Sequence, residues 1–243
     1  MNRTFHMRRV YIGILVLAGF EVFATDARCG PNENAKVLIS LPSVDLSPCA
    51  NGVQSCNDVN TAGRLYPPRT YYAFLLIADG DGPSGISAVK CGINYDPTLQ
   101  TGVDVFGWAL CANAEIRTTG PNGLWPAPQS GNLITWTDEN CQRDEPAGSG
   151  SGVVAAAGYF YCAAYTADDL RIELHPTDGL VTVGSCAADV DTVEGGGITR
   201  NPSHLGFARF SPGGLEEGYN PCESDTPVQP ATWGRIKLAF QSH

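Results

Sequence analysis

Positive charge is scarce in this sequence. It holds 15 Lys and Arg against 25 Asp and Glu, a formal net charge of −10, and its basic residues nowhere form a run. Neutralising a phosphate backbone requires clustered Lys and Arg, so nucleic acid and anionic membrane are not expected partners. Histidine is also sparse. Beyond the first 24 residues only His175, His204 and His243 remain as candidate bases for an activated nucleophile. The GSGSG run at 148–152 misses the GxSxG register, because Gly150 stands where the serine would be. Ser203 and His204 are adjacent in sequence, which does not give a catalytic geometry. His204 is expected to order its loop and His175 to end a strand. No two cysteines have CxxC spacing and none has a histidine beside it, which weighs against a thiolate zinc site. The Gly195-Gly196-Gly197 run lacks the lysine of a phosphate loop, and Pro202 disqualifies Asn201-Pro202-Ser203 as a glycosylation acceptor. No long helical period occurs anywhere.

The first residues do carry a pattern. Arg3, Arg8 and Arg9 precede an apolar run from Val10 to Phe20, and small residues lead to Ala24. This reads as a secretory signal peptide over 1–24, cleaved after Ala24 or alternatively Ala27. The apolar run is short for a membrane span of about 20 residues. Cleavage would remove three arginines and Glu21, leaving 12 basic and 24 acidic side chains. A single secreted domain is expected over 25–243, with no membrane contact after cleavage.

All nine cysteines follow the signal: Cys29, Cys49, Cys56, Cys91, Cys111, Cys141, Cys162, Cys186 and Cys222. In an exported chain, disulfides are the default expectation. Nine is odd, and Cys29 is the first candidate for a free thiol. Cys49 and Cys56 flank an Asn51-Gly52 turn, so they are paired with each other as the staple of a surface excursion near 42–68. Cys111 with Cys141 and Cys186 with Cys222 are plausible further staples, although sequence does not settle connectivity.

The remaining signal is β-structure punctuated by 28 glycines and 17 prolines. Strands are expected at 35–41, 71–78, 87–95, 103–112, 132–137, 153–166, 170–175, 180–186, 205–210 and 233–240. The expected fold is an all-β antiparallel β-sandwich of nine or ten strands, disulfide-stapled and with long loops. RTYYAFLLIADGDGPSGISAVKCGINY, at 69–95, is read as its central hairpin: an apolar strand covered on both faces, an Asp-Gly turn, then an alternating strand.

Three features suggest ligands. Asp79 and Asp81 resemble the beginning of a calcium loop, but its later acidic ligands are missing, and turn chemistry explains every residue there. Asp189, Asp191 and Glu194 make a denser acidic cluster, so Ca2+ remains a possible cofactor there too. Trp125 lies among Pro and Gly with little strand to hide in. Together with Tyr66 or Tyr219 it would give a glycan-binding face.

Cys91, Trp108 and Cys162 have the order of the cysteine, tryptophan, cysteine core of immunoglobulin-like sandwiches, although Phe160 stands where that family places a tyrosine. The resemblance implies a Cys91 to Cys162 bridge across the core. The phrases LLIADGDG, GISAVKCGINYD and GVDVFGWALC resemble secreted bacterial cohesin-like modules, and NPSHLGF and GYNPC resemble phrases of exported bacterial β-sandwich proteins. The cohesin-like resemblance implies a binding partner in an extracellular assembly. The expectation is a secreted, non-catalytic interaction or structural module with an extracellular protein or glycan as partner. The alternatives are a carbohydrate-binding module using exposed aromatics and, third, a secreted hydrolase.

Overall fold

Tyr71–Gly80 is ten residues of strand, and six consecutive side chains in it, Ala73 to Ala78, are buried. Alternate side chains of a strand point to opposite faces, so this run has to be covered on both. The computed structural model, which describes residues 30–42, 49, 55–66, 69–143 and 152–223, does this by placing the strand inside a four-stranded sheet with a second sheet beneath it.

The described residues form thirteen strands: β1 (Lys36–Ser40), β2 (Ala62–Arg64), β3 (Tyr71–Gly80), β4 (Ala88–Asn94), β5 (Val103–Leu110), β6 (Ala114–Gly120), β7 (Gly123–Leu124), β8 (Ser130–Thr135), β9 (Val153–Ala164), β10 (Asp168–Glu173), β11 (Leu180–Gly184), β12 (Val190–Gly195) and β13 (Phe207–Ser211). Helix among them is confined to short 3-10 turns. The smaller sheet has the order β1-β3-β9-β5, and the larger runs β2-β13-β10-β4-β8-β6-β7, with β11 joining β4 to β12. Every pairing of strands is antiparallel except β2 with β13. The all-β fold expected from the sequence is therefore present, with more strands than the nine or ten counted. Ala62–Arg64 and Val190–Gly195 were expected to be excursion and acidic loop. The last expected strand, 233–240, lies outside the described residues, as do Cys29 and His243.

The central hairpin does not form. β3 belongs to the smaller sheet and β4 to the larger, so the chain crosses between layers over residues 81–87. Asp79 adopts φ 53°, and the register of β3 on β9 shifts between Ile77 and Gly80. The turn is then closed by Asp81, whose carboxylate accepts from Ser84 N at 2.8 Å and whose carbonyl accepts from Gly85 N at 2.7 Å. Asp-Gly chemistry marks a tight turn. It does not say whether the turn stays within one sheet.

Between the sheets lies one apolar core that includes Ala73, Leu75 and Ile77 of β3, Val89, Cys91 and Ile93 of β4, and Phe160 and Cys162 of β9. A second, smaller cluster of Leu38, Phe74, Leu76 and Ala78 lies on the opposite face of the smaller sheet, with Cys56, Val59 and Cys222 against it. The excursion near 42–68 thus contributes a strand and part of a core in addition to surface.

The cysteines pair differently from expectation. Cys49 bonds to Cys111, Cys56 to Cys222 and Cys141 to Cys186, so none of the three anticipated staples is present. Turn chemistry at Asn51-Gly52 spoke only for local pairing, whereas the sheets bring distant segments together. Cys91 and Cys162 are both buried and free, and the bridge implied by the immunoglobulin-like resemblance is absent. Burial pushes each of these thiols up to about 12.

Candidate functional site

The residues singled out in the sequence do not converge on one place. Trp125 is 2% exposed and packs in the core, edge-on to Trp108 and 5.5 Å from Phe160 between ring centroids. It is not available for stacking a ligand, because the loop of Pro and Gly folds its indole inward. Tyr66 is exposed and rests on Tyr165. Tyr219 pairs with Phe207 and donates its hydroxyl to the Ser203 carbonyl at 2.8 Å. The Trp125, Tyr66 and Tyr219 face is therefore not assembled.

The five acidic candidates each hold protein groups. Asp79 bonds to the buried Lys36 ammonium. Asp81 and Asp191, from the two separate acidic segments, are joined through Asn32: its backbone N donates to Asp191 Oδ2 at 2.8 Å, and its Oδ1 accepts from Asp81 N at 2.9 Å. Asp189 closes a turn with Ser185. Glu194 accepts from Arg200 N at 3.2 Å and from the Ser203 hydroxyl at 3.4 Å. Among the described residues, the group of three candidate ligands close enough to share an ion is Cys56, Asp79 and Cys222, and its two cysteines are bonded to each other.

Ser203 and His204 make no catalytic pair. The serine hydroxyl faces Glu194, and His204 Nδ1 lies 3.2 Å from the Ala35 carbonyl. His175 Nε2 lies 3.1 Å from the Thr118 hydroxyl.

What the fold does assemble is a row of aromatic rings on the outer face of the smaller sheet. β9 lies between β3 and β5, with Tyr161 paired to Tyr72 on one side and to Gly107 on the other. Tyr72 and Tyr161 have ring centroids 5.6 Å apart. Phe106 follows at 5.7 Å from Tyr161. Tyr159, two residues along β9, meets Tyr72 at 5.3 Å and anchors the row to the buried Phe74 at 5.7 Å. Exposure rises along the row from Tyr72 at 38% and Tyr161 at 39% to Phe106 at 51%.

A β-bulge creates this arrangement. The register of β5 on β9 shifts between Val105 and Gly107, so Phe106 and Gly107 together oppose Tyr161. Two residues facing one turn a side chain away from strict alternation, which brings Phe106 against the tyrosine. A Cβ built on Gly107 would meet nothing within 4 Å, so the row has an open notch beside its centre. Tyr159 and Tyr161 fall within the strand expected at 153–166 and were not singled out as candidate site residues. Their two-residue spacing and the glycine in the facing strand are the signals that mark the face.

The rings give the row its chemistry. Phenol and phenyl faces present apolar, polarisable surface while the tyrosine hydroxyls remain available for hydrogen bonds. No titratable carboxylate or imidazole belongs to the row itself.

No protein-family model and no curated protein matches the sequence. Among solved structures, the chain is similar to a cohesin module from a Clostridium perfringens family 33 glycoside hydrolase, with a TM-score of 0.38 and 7% identity over 73% of this chain and 98% of that one.

Proposed function

We propose that this chain is an exported, non-catalytic interaction module that binds carbohydrate on the outer face of its smaller sheet. The observation that carries the reading is the contiguous row of Tyr72, Tyr161 and Phe106, each between about a third and a half exposed and flanked by Tyr159, which packs on Tyr72 and Phe74. Pyranose rings offer a C–H face that stacks on aromatic carbon and hydroxyls that bond to polar neighbours. A row one ring wide suits a linear chain of such units. A stable protein partner would need about 800 Å² on each side, with an apolar core to the patch, which is more than three rings supply.

Export is supported by the signal-like first 24 residues and by three disulfides, which form and persist in oxidising compartments. Among the described residues no helix is long and apolar enough to cross a membrane. The non-catalytic reading is favoured because glycoside hydrolysis uses a pair of carboxyl groups flanking the bond, and the row carries none.

A glycan array comparing the wild type with Tyr161→Ala and Phe106→Ala tests the reading. Binding to a set of glycans is expected, with each variant weakened at least about tenfold, equivalent to about 1.4 kcal/mol. An array on which the folded wild type binds no glycan would remove carbohydrate as the ligand and favour a protein partner on the same face.

A further inference from the structure

The Tyr72 end of the aromatic row does not stop at flat surface. It opens into a groove of about 570 Å³ whose lining includes Asn60, Arg64, Arg69, Thr70, Tyr71 and Tyr72. Ligand sites commonly fall in this size range and combine apolar walls with a few placed polar groups. Tyr72 belongs to both features: its ring contacts Tyr161 in the row and lines the groove. A linear ligand stacked on Phe106, Tyr161 and Tyr72 would therefore present its next units to Arg64 and Arg69.

The two arginines place positive charge in the groove of an acidic chain. The sequence has ten more acidic than basic side chains. Lys36, Lys90, Arg117, Arg171 and Arg209 each hold a carboxylate of this chain. Among the described residues Arg64, Arg69, Arg143 and Arg200 hold none, and of these four Arg64 and Arg69 line the groove. Arg64 is also fixed in position, because its backbone N donates to the Tyr71 hydroxyl at 2.7 Å and its side-chain stem lies over Gly214. A Cβ at Gly214 would meet Arg64 Cγ at 2.4 Å, and the glycine has φ +66°, so the small residue is needed for both space and backbone conformation.

A guanidinium is a planar fork that pairs with a carboxylate through two parallel hydrogen bonds. We infer that the module's ligand is an acidic, uronate-bearing polysaccharide: its rings stack on Phe106, Tyr161 and Tyr72, and a carboxylate of the same chain enters the groove to meet Arg64 and Arg69. This rests on the reading of the face as a carbohydrate surface and adds the ligand's charge and its direction along the row. An overall negative protein repels such a polymer at long range. The free arginine pair supplies the local complement that sets its register.

The test is affinity electrophoresis of the wild-type chain through gels containing polygalacturonate, alginate, a sulfated glycan, or fully methyl-esterified polygalacturonate, which keeps the sugar backbone and loses its charge. Retardation by a uronate polymer is expected, falling at least about tenfold on esterification, the order of one charged hydrogen bond. The Arg64→Met/Arg69→Met pair should lose that preference while keeping the wild-type melting temperature. Tyr161→Ala should weaken binding to all gels that bind. Equal binding to charged and esterified polymer, or to neutral glycans alone, would overturn the inference and leave the carbohydrate reading standing. Preference for the sulfated glycan over both uronates would overturn the carboxylate assignment. Uronate binding unchanged in the arginine pair would place the charge recognition elsewhere and also overturn it. No retardation by any of these gels would overturn it, and the array then decides the broader reading.

Discussion

Trp108 stands edge-on to Trp125, with their ring centroids 5.3 Å apart and their planes at 88°. This is a favoured aromatic geometry, and it makes the more loop-like of the two tryptophans part of the core. Gly158 of β9 lies against Trp108, where a Cβ would come within 2.4 Å of Trp108 Cη2. Trp125→Ala should therefore cost about 3–5 kcal/mol of unfolding free energy, as for other large-to-small aromatic changes in cores. Trp125→Phe keeps most of the ring contact and removes an indole Nε1 that finds no partner among the described residues, so its cost should stay below about 1.5 kcal/mol. Chemical denaturation midpoints measure both. If Trp125→Phe folds with full stability but loses ligand binding, the indole is a binding group and its burial here is misassigned.

Cys91 and Cys162 predict a redox pattern. Both thiols are buried and pushed up to about 12 by that burial, so thiolate at neutral pH is negligible. Alkylation of the native protein without reductant should leave both unmodified, whereas unfolding without reductant should expose both. Peptide mapping should recover Cys49 with Cys111, Cys56 with Cys222 and Cys141 with Cys186. A peptide linking Cys91 to Cys162 would contradict the core described here. Cys141→Ser/Cys186→Ser opens a link between residues 45 apart in sequence, and a loss of up to about 4 kcal/mol is expected from loop entropy.

Acid should destabilise the fold in two steps, the first from histidine. His175 is lowered by burial, with Lys90 adding to the effect and Asp178 opposing it. His204 is lowered by burial and by Arg200 and Lys36, against the Ala35 carbonyl and Glu194. A base with a folded pKa below its unfolded value of about 6.5 is protonated first in the unfolded chain. Its contribution is complete above that pH and is lost as the pH falls toward the folded value. The melting temperature should therefore drop between about pH 7.5 and 5.5, and less so in His175→Gln/His204→Gln. The second step is carboxylate protonation. Burial alone would raise Asp169, but hydrogen bonds from Arg209 and Arg171 outweigh it and hold the acid low. Glu115 is likewise raised by burial and lowered further by Arg117, Asn132 and Trp108. Both contribute stability above about pH 4 that is lost below it. A melting temperature that is flat from pH 7.5 to 5.5 would contradict the histidine account.

Most strands were legible in the sequence because each carries its own local evidence. The unbroken apolar run of β3 announced burial on both faces. Topology was less legible. Asp79 to Gly85 has the chemistry of a tight turn whether its strands pair or part, and only the packing of β3 between β1 and β9 decides. Cysteine pairing fails in sequence for the same reason: Cys56 and Cys222 meet because separate segments cover one sheet face. The aromatic row depends on a bulge at Phe106 and Gly107, which shifts one side chain by one register step. Trp125 misled because Pro and Gly describe a backbone, not the direction an indole takes from it.

Side-chain oxidation footprinting with and without a bound acidic polysaccharide tests the central claim most directly. The account predicts protection of Tyr72, Tyr161 and Phe106 on binding, with Tyr66 and Tyr219 unchanged. Protection of Tyr66 or Tyr219 with the row still open to oxidation would contradict it.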